Sequence, residues 1–291
     1  MTARTRGTLV GMTAILLWAL LALFTAASGD VPPFQLSAMC FAIGGGLGLV
    51  LLLRDRARIR HLRQPLRVWA LGVGGLFGYH FFYFTALRNA PPVEAGLIAY
   101  LWPLLIVVFS ALLPGERLRA HHVMGAVLGF AGAALIVTGG GGIRVDPEFA
   151  FGYAMALICA LIWSGYSVLS RRFAAVPTDV VTGFCLATAV LSLICHLALE
   201  ATRWPDTPLE WLAVLGLGLG PVGLAFFTWD HGVKRGDIQV LGAASYAAPL
   251  LSTLVLIGFG LGAASWSIGA ACLLITLGAA VAAKDMILSG R

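Results

Sequence analysis

The sequence predicts an all-α integral membrane protein, with ten transmembrane helices arranged as an inverted 5+5 repeat around a central cavity. Three observations lead there. The chain has 291 residues, 59% of them hydrophobic and 11% charged, with a mean hydropathy of +0.92. Soluble domains carry about 25% charged residues. Ten apolar runs are each long enough to cross a bilayer as a helix, which takes about 20 residues. The second half of the chain also repeats the pattern of the first.

The runs cover roughly residues 7–27, 33–53, 67–88, 94–113, 121–138, 150–171, 179–199, 210–231, 237–258 and 266–283. Their connections are short and leave no room for a soluble domain. The first run resembles a signal peptide, because Arg4 and Arg6 precede it and Ala-Ala-Ser follows near residue 27. The repeat argues that it is retained. Basic residues set the orientation, since cytoplasmic connections are rich in Lys and Arg. With the amino terminus in the cytoplasm, sixteen of the nineteen fall inside: Arg4 and Arg6; Arg54, Arg56, Arg58, Arg60, Arg63 and Arg67; Arg117 and Arg119; Arg171 and Arg172; Lys234 and Arg235; Lys284 and Arg291. Only Arg88, Arg144 and Arg203 fall outside. The net charge of +6 is therefore read as topology, and no nucleic acid partner is expected.

The repeat is read from two windows. Ala86–Leu105, ALRNAPPVEAGLIAYLWPLL, lies without gaps on Gly232–Leu251, GVKRGDIQVLGAASYAAPLL. Arg88 falls on Lys234, Gly96 on Gly242, Tyr100 on Tyr246 and Pro103 on Pro249. Near the start of each half, Trp18 and Pro32 match Trp163 and Pro177. Five crossings per half is an odd number, so the second half, 141–291, enters the membrane from the side opposite to the first, 1–140. Inverted repeats of this kind place a substrate site near the midplane, where the halves meet. Prolines interrupt both fourth helices, at Pro103 and Pro249, and the eighth, at Pro221. Broken backbone at membrane depth survives when it is buried in protein or lines a wet cavity.

The side chains suited to a site are aromatic and neutral. Trp69, Trp204, Trp211, Trp229 and Trp266 lie near span ends, where aromatic belts sit. Trp18, Trp102 and Trp163 lie mid-span, and a buried indole N–H wants a partner. His80 is the one strongly polar, ionisable group deep in a span, flanked by Tyr79 and Tyr83 on adjoining faces. His80 and Trp102 each lie eight residues from a polar outer end, so both sit about 12 Å below it, with Tyr100 close to that level. Trp18, Trp163, Ser245 and Tyr246 complete the expected lining. The matching positions of the second half are plainer: Tyr79, His80 and Trp102 fall on Ala225, Phe226 and Ala248.

No Asp, Glu, Lys or Arg is expected mid-span; Glu94, Asp230 and Asp237 are read as span ends. The lining suits a solute of no large net charge with a flat apolar body, such as an aromatic amino acid. Without a core carboxylate, downhill movement or exchange is favoured over proton antiport, with His80 as the one titrating group. Gly44-x-x-x-Gly48 and Gly125-x-x-x-Gly129 permit close helix packing, within the chain or in a dimer. Cys40, Cys159, Cys185, Cys195 and Cys272 have no metal-ligand spacing and are read as packing residues. No metal site and no cofactor is expected. An enzyme would need an acid or nucleophile near the one deep histidine, and a channel would need rings of charges or carbonyls; neither pattern occurs.

Ala99–Leu118, AYLWPLLIVVFSALLPGERL, its fainter second copy and the 5+5 plan resemble the EamA branch of the drug/metabolite transporter superfamily. Within it, Trp18, the GYHFFY segment, AYLWP and Trp163 look most like YddG-type exporters of aromatic amino acids. The resemblance implies export from the cytoplasm across a bacterial inner membrane, through a cavity lined by helices 1, 3, 4, 6, 8 and 9. It implies that Trp18, Tyr79, His80, Tyr83, Tyr100, Trp102, Trp163 and Tyr246 face that cavity. The second copy has Leu261-Gly262 where the first has Gly115-Glu116. Expected partners are a small-molecule substrate and membrane lipid, with the chain as a monomer and a dimer as the alternative. The rival within the superfamily is an exporter of flat aromatic cations such as viologen-like drugs, or of sugars or nucleotide sugars.

Overall fold

The computed structural model describes residues 1–142, 146–261, 263 and 265–285; Arg144, Gly262 and Arg291, used in the readings above, lie outside the described residues. The secondary structure among the described residues is helical throughout. Nine helical stretches are long and apolar enough to span a membrane: α1 (Ala3–Ala27), α2 (Pro33–Arg54), α3 (Leu66–Asn89), α4 (Pro92–Leu112), α5 (Ala120–Thr138), α6 (Pro147–Phe173), α7 (Thr178–Leu199), α8 (Pro208–Arg235) and α9 (Ile238–Gly258). A tenth, α10 (Trp266–Ala282), is shorter at 17 residues. The protein is a multi-pass membrane protein.

The breaks fall where the prolines predict. In α4 the helix stops at Tyr100–Leu101 and restarts at Trp102, which puts Pro103 in the first turn of the second segment. In α9 it stops at Ser245–Tyr246 and restarts at Ala247, which puts Pro249 in the first turn there. First-turn N–H groups have no intrahelical acceptor, so a proline in that turn loses no helix hydrogen bond. The Leu104 N–H, left over by the α4 break, donates instead to the Tyr246 hydroxyl on α9, at 3.1 Å. Pro221 lies in a π-helical turn, Gly220–Leu224, that carries α8 through without stopping it. α1 also breaks, after Trp18, and resumes at Leu21.

The most closely packed pairs are α5 with α10, α3 with α6, α2 with α7 and α1 with α8. Small residues set the approach. A Cβ on Gly44 of α2 would lie 2.6 Å from the Gly223 Cα of α8. Gly48 faces Thr182 of α7, Gly125 faces Gly278 of α10, and Gly129 faces Tyr246 of α9. Both small-residue stripes are thus filled from within the chain.

Polar contacts sort the connections onto two faces. On one, Arg4 at the start of α1 pairs with Glu116 between α4 and α5 at 2.9 Å and with Asp237 between α8 and α9 at 3.0 Å. Arg171 at the end of α6 pairs with Glu116 at 2.6 Å and donates to the Val233 and Gly236 carbonyls. Arg58 and His61, between α2 and α3, hold Asp179 at the start of α7. Arg119 pairs with Asp285, beyond α10, at 2.6 Å. On the opposite face, Arg88 at the end of α3 pairs with Glu200 after α7 at 2.6 Å, and Glu200 accepts the Phe34 and Gln35 N–H groups that open α2. Gly152, at the start of α6, packs there on Asn89 and Ala90. The chain therefore alternates faces at each crossing, and α1 and α6 begin on opposite ones.

Candidate functional site

Four indoles meet where α1, α4, α6 and α8 converge. Trp18 lies edge-on to Trp102 and Trp163, with ring centroids 6.1 and 5.9 Å away, and 5.1 Å from Trp229. Trp163 stacks over Trp229 at 6.2 Å and meets Phe226 at 5.7 Å. From α3, Tyr79 joins at 5.5 Å from Trp163 and stacks on Tyr83 at 5.8 Å. His80 meets Tyr79, Phe41 of α2 and Phe226 at 5.3, 5.0 and 6.2 Å. Edge-to-face and offset pairs at these separations are the favoured aromatic geometries.

Backbone and side chain orient the polar atoms. The Trp18 indole N–H donates to the Pro221 carbonyl, in the π turn of α8, at 3.1 Å. The Trp229 indole N–H donates to the Ser167 hydroxyl at 3.0 Å. His80 Nδ1 lies 2.7 Å from the Leu76 carbonyl. A carbonyl only accepts, so Nδ1 carries the proton and the neutral ring keeps an acceptor lone pair on Nε2. The Ser245 hydroxyl donates to the Leu241 carbonyl at 2.7 Å.

The sequence-predicted residues divide accordingly. Trp18, Trp102, Trp163, Tyr79, Tyr83 and His80 form one connected aromatic cluster. Tyr100 ends the first segment of α4, two residues before Trp102, and stays half-buried. Tyr246 is fully buried in a second cluster with Phe130 and Gly129, where its hydroxyl serves the α4 break. Ser245 is buried at the α9 break beside it.

One sequence reading requires correction, and a second gains a detail. Trp229 is not part of an interfacial belt: it is 0% exposed and belongs to the central cluster. The charges of α8 do stay in its last turns, but Asp230 and Lys234 are buried there, with side chains 1% and 5% exposed. The cause is the same for both. α8 runs 28 residues, to Arg235, and α1, α6 and the α6–α7 connection pack around its last turns. The repeat already carried a signal for Trp229 and Phe226: extending the register of the matched windows sets them on Tyr83 and His80.

The fold and this cluster define a class: a multi-pass membrane protein whose broken helices enclose an aromatic, largely neutral centre. The chain belongs to the EamA-like transporter family, whose profile matches twice, over residues 5–138 and 150–283. It is 58% identical over 281 residues to the aromatic amino acid exporter YddG of Ancylobacter novellus, covering 96% of this chain and 98% of that one. It is 25% identical to the aromatic amino acid exporter YddG of Escherichia coli K12, over 86% and 87% of the two chains. A crystal structure of a protein 59% identical to this one superposes with a TM-score of 0.91, over 95% and 96% of the chains.

Proposed function

We propose that this protein exports aromatic and other bulky neutral amino acids from the cytoplasm by alternating access of two inverted five-helix units, 1–140 and 141–291. The observation that carries the reading is the four-indole cluster, where spans from both halves contribute rings to one neutral site. The named functions of its relatives point the same way. Exchanging the halves turns α3–α6 into α8–α1 and leaves α2–α7 and α5–α10 unchanged, so the packing supports a two-fold relation between the units. The basic-residue asymmetry supports an orientation with both termini in the cytoplasm, and the bacterial relatives support an inner-membrane location. The protein acts as a carrier and not as an enzyme, and it works as a monomer.

In this reading Trp18, Trp102 and Trp163 stack against the substrate ring, with Tyr79, Tyr83 and Tyr100 at the rim. His80 Nε2 accepts a hydrogen bond from the substrate's ammonium group. Ser245 and Tyr246 support the α9 break from behind. Pro103, Pro221 and Pro249 place bends in α4, α8 and α9, and the helices flex there as access alternates. The same indole faces would also hold a flat organic cation through cation–π attraction.

The test is counterflow of labelled phenylalanine in proteoliposomes at equal pH on both sides. Exchange is expected, and Trp102→Ala or His80→Ala should cripple it at unchanged expression. Absence of counterflow removes the amino acid reading. Competition by tryptophan but not by a viologen dye separates the amino acid from the drug reading.

A further inference from the structure

The buried pair on α8 lies beside the aromatic cluster and has no part in the transport reading. Lys234 Nζ is 2.9 Å from each Asp230 carboxylate oxygen and 3.1 Å from the Val176 carbonyl. The Thr178 hydroxyl donates to Asp230 Oδ2 at 2.8 Å. Beside them lies a small, partly open pocket of about 10 Å³, lined by Tyr166, Ser170, Asp230 and Lys234 together with apolar residues of α3, α6, α7 and the α6–α7 connection. That is room for about one water. The Tyr166 hydroxyl is buried there without a hydrogen-bond partner among the described residues. A carboxylate and a backbone carbonyl converge on one point, and oxygen donors of this kind hold hard cations. The point is already taken by an ammonium.

We propose that Asp230, oriented by the Thr178 hydroxyl, and the Val176 carbonyl form a monovalent-cation site whose permanent occupant is Lys234, a tethered counter-ion in place of a free coupling ion. Burying a charge is costly, and a pair offsets that cost only while it stays paired. Asp230 and Lys234 are one turn apart on the same helix, so α8 carries its neutralising charge through any rocking motion. The repeat-related position contrasts with this. Arg88 matches Lys234, but Phe84 stands where Asp230 would be, and Arg88 draws its counter-charge from Glu200 beyond a different helix. The empty carrier can thus reorient without sodium or a proton. This goes beyond the export reading by naming why no co-ion is needed.

The charged and titratable groups around the pair are Tyr166 and Arg171 from α6, with Arg67 stacked on the cavity's Phe173. His231 and Arg235 lie on α8 itself, while α3 and α7 present Val68, Leu71, Gly72, Val180 and Phe184 to the cavity. The experiment is a melting curve of the full chain in detergent, which needs no substrate and so stands apart from the amino acid reading. Lys234→Ala, or Lys234→Met where the alanine variant does not fold, should melt several degrees below wild type at pH 7.5. Methylammonium or sodium chloride should restore it against choline chloride of equal ionic strength. The wild type and the Asp230→Asn/Lys234→Ala double variant should show no such response. A Lys234 variant that melts like wild type, or whose loss neither cation recovers, overturns the proposal. So does wild-type exchange that requires sodium once a transported solute is known.

Discussion

The hairpin formed by α8 and α9 and its repeat counterpart, formed by α3 and α4, share a register but not an environment. Gly242 and Gly96 are equivalent. A Cβ on Gly242 would meet Val107 Cγ2 at 2.9 Å and the Pro103 carbonyl at 3.1 Å, whereas one on Gly96 would have nothing within 4 Å. Tyr246 is fully buried and Tyr100 half-buried; the Lys234 side chain is 5% exposed and that of Arg88 43%. One hairpin is clamped against the rest of the molecule, and the other stands partly free. The α8–α9 connection lies on the face that gathers Arg4, Glu116, Arg171 and Asp237. In the orientation proposed above that face is cytoplasmic. The difference teaches that two halves of one plan have settled unequally. In the alternating-access reading proposed above, α3–α4 takes up the tight packing in the opposite state, bringing Gly96 against Pro249 and Thr253, the residues equivalent to Pro103 and Val107.

The comparison can be broken at several points. Gly242→Leu forces a side chain into the clamped contact with Val107 and Pro103. It should destabilise the protein by about 1–3 kcal/mol, the range for overpacking, and abolish exchange. The same clash with backbone and side chain is absent at Gly96, so Gly96→Leu should leave the melting temperature unchanged while slowing exchange strongly, because the blocked arrangement is the one not seen here. Equal effects of the two variants on melting would erase the asymmetry. Tyr246→Phe removes the acceptor for the half-buried Leu104 N–H and should cost about 1 kcal/mol, the net worth of one hydrogen bond. Tyr100→Phe, at the equivalent break, should cost less. Arg4→Ala should have the smallest effect, below about 1 kcal/mol, since Arg4 is half exposed and solvent screens its pairs.

Much of this was legible in the sequence because the physics is local. Hydropathy and length identify each span, and Pro103, Pro221 and Pro249 mark breaks that the backbone then shows. The mid-span indoles Trp18, Trp102 and Trp163 stood out because belts lie at span ends. The rest depends on partners distant in the chain. Hydropathy near a span end cannot tell an interfacial Trp229 from one covered by α1 and α6, nor an exposed Asp230 from one closed over by Thr178 and Lys234. Tyr246 matches Tyr100 by register, yet its hydroxyl serves the α4 backbone, because the two hairpins pack unequally.

The most direct measurement is a pair of distances between spin labels in a chain whose five native cysteines have been replaced. One pair, Ala120 with Arg235, reports the face that gathers Arg4 and Glu116, and its repeat equivalent, Trp266 with Asn89, reports the opposite face. Raising the concentration of an exported amino acid should produce a second population in which the first distance lengthens and the second shortens by a similar amount. Two distances that stay fixed, or that change in the same direction, would contradict the exchange of packing between the halves.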